Sequence, residues 1–253
     1  GEPVFLDELI CRPAHSLLHQ SLRSEQAKTS TNGDGFGIGW YGEGSEPGVY
    51  REVMPAWSDE NLPSLARTLK SHLFFAHVRA ATGTPIARQN CHPFRHGPWL
   101  FMHNGQIGGY AQLRRTLEAQ LPDALYAARK GATDSELLFL LALARIEQQG
   151  AAVHDAMQAT LDDVMALMRA QGITEPLRFS AALADGRRLH LFRHASDDAP
   201  PTLYVKQDER GSIVASEPLA GNDDGWRALK NGQTLTLVQS SAAARNTSAL
   251  VAA

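Results

Sequence analysis

Apolar and polar residues alternate along Leu73-Phe-Phe-Ala-His-Val-Arg79, so in extended geometry Phe75, His77 and Arg79 share one face and Phe74, Ala76 and Val78 the other. The run reads as a buried strand that ends on a charge. The small-residue turn Ala80-Ala-Thr-Gly83 follows it. A second apolar strand, Trp99–Gln106, ends the same way on Asn104-Gly105. Polar groups delivered where a buried strand stops are well placed to hold a ligand, and the two ends are expected to form the floor of one pocket.

Residues 1–28 predict a short apolar entry and then a helix, with Pro13 in its first turn and Leu17, Leu18 and Leu22 as its stripe. Thr29–Gly35 is a loop, Phe36–Tyr41 a glycine-rich strand, Gly42–Gly48 a loop and Val49–Val53 its pairing strand. Leu62, Leu65, Ala66 and Leu69 repeat at helical spacing within Asp59–Ser71. Thr82–Pro98 reads as a loop, and residues 111–130 as helix interrupted at Pro122. Thr133-Asp-Ser-Glu136 has the form of a capping box opening a helix that runs to Gly150, apolar on most sides. Val153–Arg169 is amphipathic. After Gly172 come strands at Leu177–Ala184, Arg188–Arg193, Thr202–Lys206, Ser212–Ser216 and Gln233–Val238, with Asp185-Gly186 and Glu209-Arg-Gly211 as hairpin turns. Strands, then helices, then strands make an α+β layout, not alternating βαβ. The tail, residues 240–253, is rich in Ala and Ser and is expected to fray.

Gly37-Ile-Gly-Trp-Tyr-Gly42 matches G-x-G-x-x-G, but the Glu-Gly-Ser-Glu-Pro-Gly that follows cannot open the helix a dinucleotide site needs. Its glycines are read as permitting close backbone approach. Composition changes this picture little: 253 residues, 43% hydrophobic and 20% charged, with a net charge of -3, fit a globular domain. The basic residues are scattered, so nucleic acid is not an expected partner. No apolar run approaches the roughly 20 residues of a membrane span. Two cysteines, Cys11 and Cys91, make no disulfide framework, which points to a cytoplasmic protein.

Several residues could carry chemistry. Arg79 is either a carboxylate clamp or the partner of a buried acid. Asn104 and Gly105 offer the donor pair of an oxyanion hole, or else an Asn-Gly turn. Asp134, in the first turn of a helix, is favoured as a carboxylate and could hold an ammonium group, or simply stabilise the helix end. His72, His77, His92, His96 and His103 with Cys91 could form a zinc site, although no ligand spacing of the usual kind is present. Cys91 lacks an obvious base partner for nucleophilic attack.

Asn32-Gly-Asp-Gly-Phe-Gly-Ile-Gly-Trp-Tyr41, His77-Val-Arg-Ala-Ala-Thr82, Asn90-Cys-His-Pro-Phe94, His103-Asn-Gly-Gln106 and Thr133-Asp-Ser-Glu136 come in an order that resembles the class II glutamine amidotransferases, among the N-terminal-nucleophile hydrolases. Ser216-Glu-Pro-Leu219 extends the likeness. The resemblance is strongest to stand-alone members without a synthase domain. It implies a single domain over residues 1–253 and a four-layer αββα sandwich of two antiparallel sheets. It further implies that Arg79 clamps the α-carboxylate of glutamine, that Asp134 takes its α-ammonium and that Asn104 and Gly105 form the oxyanion hole. Thr82 and His77 are implied as supporting residues. The family's nucleophile is an N-terminal cysteine, whose thiolate forms a γ-glutamyl thioester; this chain opens Gly1-Glu-Pro-Val, and the expectation is that the cysteine lies a few residues before Gly1. No cofactor or metal is implied. The partners implied are a small γ-glutamyl substrate and, for the assembly, a synthase partner or a second copy. The alternatives carried forward are a non-catalytic subunit that binds γ-glutamyl groups or donates ammonia, and a zinc-dependent hydrolase.

Overall fold

The computed structural model describes residues 2–26, 31–81, 83–219, 225–238 and 249–252. Its first part contains β1 (Val4–Phe5), α1 (Asp7–Ile10), α2 (Leu17–Leu22), β2 (Phe36–Trp40), β3 (Gly48–Glu52), α3 (Asn61–Thr68), β4 (Lys70–Ser71) and β5 (Leu73–Val78). Next come β6 (Phe94–His96), β7 (Trp99–Gln106), α4 (Tyr110–Glu118), α5 (Asp123–Ala128), α6 (Asp134–Gln149) and α7 (Val153–Ala170). The last part holds β8 (Arg178–Ala184), β9 (Arg188–Ala195), β10 (Tyr204–Asp208), β11 (Gly211–Ala215), β12 (Arg227–Ala228), β13 (Thr234–Val238) and β14 (Ala249–Ala252).

One sheet has the strand order β12-β10-β11-β14-β5-β2-β3, a second has β13-β9-β8-β7-β6, and β1 pairs with β4 alone. Strand alternation then dictates the layers. Phe74, Ala76 and Val78 of β5 join Phe36 and Ile38 in a core with Leu6, Ile10, Leu17, Leu62 and Ala66 from the α1–α3 region. The other face of β5, Leu73 and Phe75, meets Leu100 and Met102 of β7 and Ala182 and Ala184 of β8 between the sheets. On the far face of the second sheet, Phe101, Phe179, Ala181 and Leu183 pack on Leu137–Leu143 of α6 and on Met157, Leu161 and Val164 of α7. Three cores between four layers give the αββα sandwich. Each fully buried Phe or Leu contributes about 1.5–3 kcal/mol, which is why both faces of β5 and β7 are fixed in register.

Four local readings change. The helix expected over Asp59–Ser71 stops at Thr68: Leu69 is extended, and Lys70–Ser71 pair with Val4–Phe5. The Ser71 hydroxyl donates to the carbonyls of Tyr41 and Leu73, a tertiary demand that overrides the helical spacing. The helix expected from Pro13 starts instead after Ser16, whose side chain accepts from the His19 N–H, while α1 precedes it. The Thr82–Pro98 loop contains β6, too short to show a period, paired with β7. The tail is not wholly frayed: Ala249–Ala252 runs parallel to both β5 and β11, so the larger sheet is mixed instead of purely antiparallel. The remaining tail residues, 240–248 and 253, lie outside the described residues.

The glycines of the G-x-G-x-x-G stretch sit in β2. A Cβ on Gly37 would come within 2.2 Å of the His92 carbonyl, and one on Gly39 within 2.7 Å of the Pro93 ring. Close approach of another segment explains them.

Candidate active site

β5 and β7 lie in facing sheets, and their C-terminal ends meet. Positions 73, 75 and 77 of β5 and 100, 102 and 104 of β7 face the gap between the sheets, so His77 and Asn104 meet there. The His77 Nε2 donates to Asn104 Oδ1 at 3.2 Å. That bond fixes the amide's orientation and leaves its Nδ2 as the free donor. Asn104 and Gly105 lie inside β7, opposite Ser180 and Phe179, so they are not a hairpin turn. Gly105 has φ 143°, and a Cβ there would fall 1.9 Å from the Arg178 carbonyl oxygen. Only glycine fits.

Arg79 is the next residue on the His77 face and is buried. Its backbone N–H donates to Gly35 and its carbonyl accepts from Asp34, which anchors the base of the side chain. The guanidinium donates to the Thr84 hydroxyl at 2.7 Å and to the carbonyls of Asp34 and Pro85 at 3.3 and 3.4 Å. All are neutral acceptors. Among the described residues no carboxylate forms an ion pair with Arg79. A buried cation without an anion is costly, and among the described residues no structural acid offsets that cost at Arg79.

Asp134 opens α6. Thr133 is the N-cap and accepts from the Glu136 N–H at 3.1 Å. The second half of the expected capping box is absent: the Glu136 carboxylate accepts instead from the N–H groups of Lys130 and Gly131, at 3.0 and 2.6 Å, and so ties down the loop before the helix. Asp134 accepts from the N–H of Ile107 and of Ser135, both at 2.8 Å. It too makes no ion pair among the described residues. The N-terminal end of the α6 dipole and two N–H donors converge on this side chain.

His77, Arg79, Asn104, Gly105 and Asp134 line one cavity of about 330 Å³, within the range of about 300–1,000 Å³ of small-molecule pockets. Thr82, expected as a supporting residue, lies outside the described residues; Thr84 is the hydroxyl that reaches Arg79. His92 packs against His77 with ring centroids 4.2 Å apart and planes tilted by 32°, and His103 Nδ1 lies 2.9 Å from the Ser135 hydroxyl. Burial drives the His77 imidazolium pKa down to about 4 and those of His92 and His103 below the ordinary value. All three are therefore neutral at pH 7. His72 binds the Gly186 carbonyl, away from these rings, and among the described residues no three His, Cys, Asp or Glu side chains are placed to share a metal ion. The zinc-hydrolase alternative loses its ligand set. Cys91 is no nucleophile: its thiol is pushed up by burial and contacts the Glu52 and Ala87 carbonyls, outside the cavity lining.

These neutral rings set a pH response. His77 in the unfolded chain takes a proton near 6.5, but in the fold only near 4. Its contribution to stability is complete above pH 6.5 and is lost as the pH falls from 6.5 toward 4. We expect Tm to drop over that interval and the drop to be shallower in His77→Gln, read by thermal unfolding at stepped pH. An equally steep drop in the variant contradicts this assignment.

Sequence reasoning missed two supports. Asn90 accepts from the Ala132 N–H and donates to the Pro85 carbonyl, linking the loop beneath Arg79 to the loop before α6. Glu217 is buried beside the cavity; its desolvation is outweighed by hydrogen bonds from Ser24, His15 and the N–H groups of Gln26 and Glu25, which hold its carboxyl below the usual range. Each had a weak signal, Asn90 as a polar residue opening a motif between apolar runs and Glu217 within Ser216-Glu-Pro-Leu219, but neither signal named a role.

A family described as "Glutamine amidotransferases class-II" matches residues 11–205. The chain belongs to the class II glutamine amidotransferases. It is 30% identical over 281 residues to the probable glutamine amidotransferase DUG3 of Saccharomyces cerevisiae, covering 93% of this chain and 79% of that protein. It is 31% identical over 230 residues to the gamma-glutamyl-hercynylcysteine sulfoxide hydrolase of Mycolicibacterium smegmatis, covering 89% and 87%. A glutamine aminotransferase class-II domain protein from Silicibacter pomeroyi superposes with a TM-score of 0.72 at 35% identity, covering 94% of this chain and 92% of the other. The four layers are those of the N-terminal-nucleophile hydrolase fold, and this amidotransferase is an enzyme of the amide-hydrolysing kind. No helix among the described residues is long and apolar enough to cross a membrane.

Proposed function

We propose that this amidotransferase cleaves the γ-amide of glutamine or of a related γ-glutamyl compound and releases ammonia or an amine. One observation carries the reading. A buried guanidinium and a helix-terminal carboxylate, each without a partner of opposite charge among the described residues, line the same cavity with Asn104 and Gly105. An α-amino acid is the small molecule that supplies an anion and a cation from one carbon. Its α-carboxylate goes to Arg79 and its α-ammonium to Asp134. The γ-carbonyl then lies at Asn104 Nδ2 and the Gly105 N–H, where donors stabilise the oxyanion as it forms.

In this mechanism the attacking atom is the thiolate of an N-terminal cysteine, and that residue's own α-amine is the base. The thiolate adds to the γ-carbonyl. The tetrahedral intermediate expels the amine, which takes a proton, and leaves a thioester. Water then attacks the thioester, giving glutamate and the free thiol. His77 takes no proton at pH 7, because it titrates near 4; its part is to donate Nε2–H to Asn104 and aim the amide. The γ-glutamyl hydrolase among the relatives supports substrates larger than glutamine.

Release of ammonia or amine from glutamine and small γ-glutamyl amides by the native protein tests the proposal. Turnover with at least one, together with a covalent mass gain from a glutamine-analogue electrophile, is expected. No turnover with any of them and no mass gain contradicts it.

A further inference from the structure

One wall of the cavity consists of Gln20, Ser24 and Gln26, and a single buried acid holds it. Glu217 follows β11 and is 3% exposed. Its Oε1 accepts from the Ser24 hydroxyl at 2.5 Å and the Gln26 N–H at 2.7 Å. Its Oε2 accepts from His15 Nε2 at 2.8 Å and the Glu25 N–H at 3.0 Å. The backbone repeats the tie, since the His15 N–H donates to the Leu219 carbonyl at 3.1 Å. From the other side the Tyr204 hydroxyl donates to Gln26 Oε1 at 3.1 Å. Residues 24–26 belong to no helix or strand, so these bonds, not a backbone ladder, place them.

We propose that Glu217 is a positioning residue for the γ-glutamyl pocket: its carboxylate gathers residues 24–26 into the wall that closes the cavity beside Arg79. The catalytic arm of this idea rests on the proposed function; the placement of the wall does not. Four donors converge on two oxygens, and two of the donors are backbone N–H groups, one on each oxygen. A carboxylate accepts all four. A glutamine at this position must turn an NH2 toward one of the pairs. Ser24 and His15 can reverse their roles, but neither backbone N–H can. Whichever way the amide turns, one N–H faces another and the wall comes away.

The test uses Glu217→Gln and Ser24→Ala in the full-length enzyme, with two readouts. The first is steady-state kinetics on the wild-type substrate. Losing a charge-assisted hydrogen bond corresponds to a rise in KM of about tenfold in Glu217→Gln, with kcat within about twofold. A smaller rise is expected in Ser24→Ala, and the double variant should be little worse than Glu217→Gln, because both break the same knot. The second readout is limited trypsin cleavage after Arg23, an exposed residue at the edge of the wall. Cleavage should be several-fold faster in Glu217→Gln and should not change with Asn104→Ala. Unchanged KM and unchanged cleavage in both variants overturn the proposal, as does a fall in kcat at constant KM. If the wild type turns over no γ-glutamyl compound, the function reading fails, and the cleavage assay alone decides on Glu217.

Discussion

Asn104→Ala is expected to lower kcat by about 10²–10³-fold with little change in KM, the loss that follows removal of one oxyanion donor. The reason lies in the His77–Asn104 bond. With Oδ1 held by His77 Nε2 at 3.2 Å, the amide can present only Nδ2 to the cavity. The ground-state carbonyl gains little from that donor; the developing oxyanion gains much, because the donor is already aimed. Asn104→Asp should be as poor or worse, since it puts a second negative charge where one is forming. Steady-state kinetics on both variants separates this from a folding defect, provided their unfolding transitions remain cooperative. A rise in KM at unchanged kcat contradicts the oxyanion role. Gly105 is the other half of the proposed pair, and its place inside β7 is what would let a strand carry an oxyanion hole. With φ at 143° and the Arg178 carbonyl where a Cβ would stand, the backbone is free to approach the substrate.

Arg79→Ala is expected to raise KM by roughly 10²–10³-fold, corresponding to the about 2–5 kcal/mol lost when one member of a buried charge pair is removed. In the free enzyme Arg79 is a buried cation surrounded by Thr84, Asp34 and Pro85 oxygens that carry no charge. On the proposed reading a substrate carboxylate supplies the missing anion, which concentrates the binding energy on that one contact. Arg79→Lys should recover part of the loss but not all, because an ammonium cannot make the forked pair. The free variant should keep a cooperative unfolding transition, since no ion pair is broken. A KM within threefold of wild type in Arg79→Ala removes the clamp from the account.

Much of this was legible in the chain. Alternation along Leu73–Val78 and Trp99–Gln106 gave both the burial of those strands and the shared face of His77 and Arg79. The Asn104-Gly105 pair was ambiguous with a turn, and only its partners on β8 decided it. Glu136 was read as half of a capping box because local spacing says so; three-dimensional closure sends it to Lys130 and Gly131 instead. Glu217 could not be recognised as a hub, since its donors come from residues 15 and 24–26, some two hundred positions away in sequence. The pairing of Ala249–Ala252 with β5 is likewise a long-range parallel contact that no local pattern announces.

On the proposed function this cavity reads both charges of an α-amino acid. Titration calorimetry with L-glutamate, glutarate and 4-aminobutyrate tests it without any catalytic step. Glutarate lacks the α-ammonium that Asp134 would hold, and 4-aminobutyrate lacks the α-carboxylate that Arg79 would hold. The account predicts that glutamate binds, that each analogue binds at least about tenfold more weakly, and that Arg79→Ala abolishes the preference for glutamate over 4-aminobutyrate. Equal affinity for the three, or none for glutamate, contradicts it.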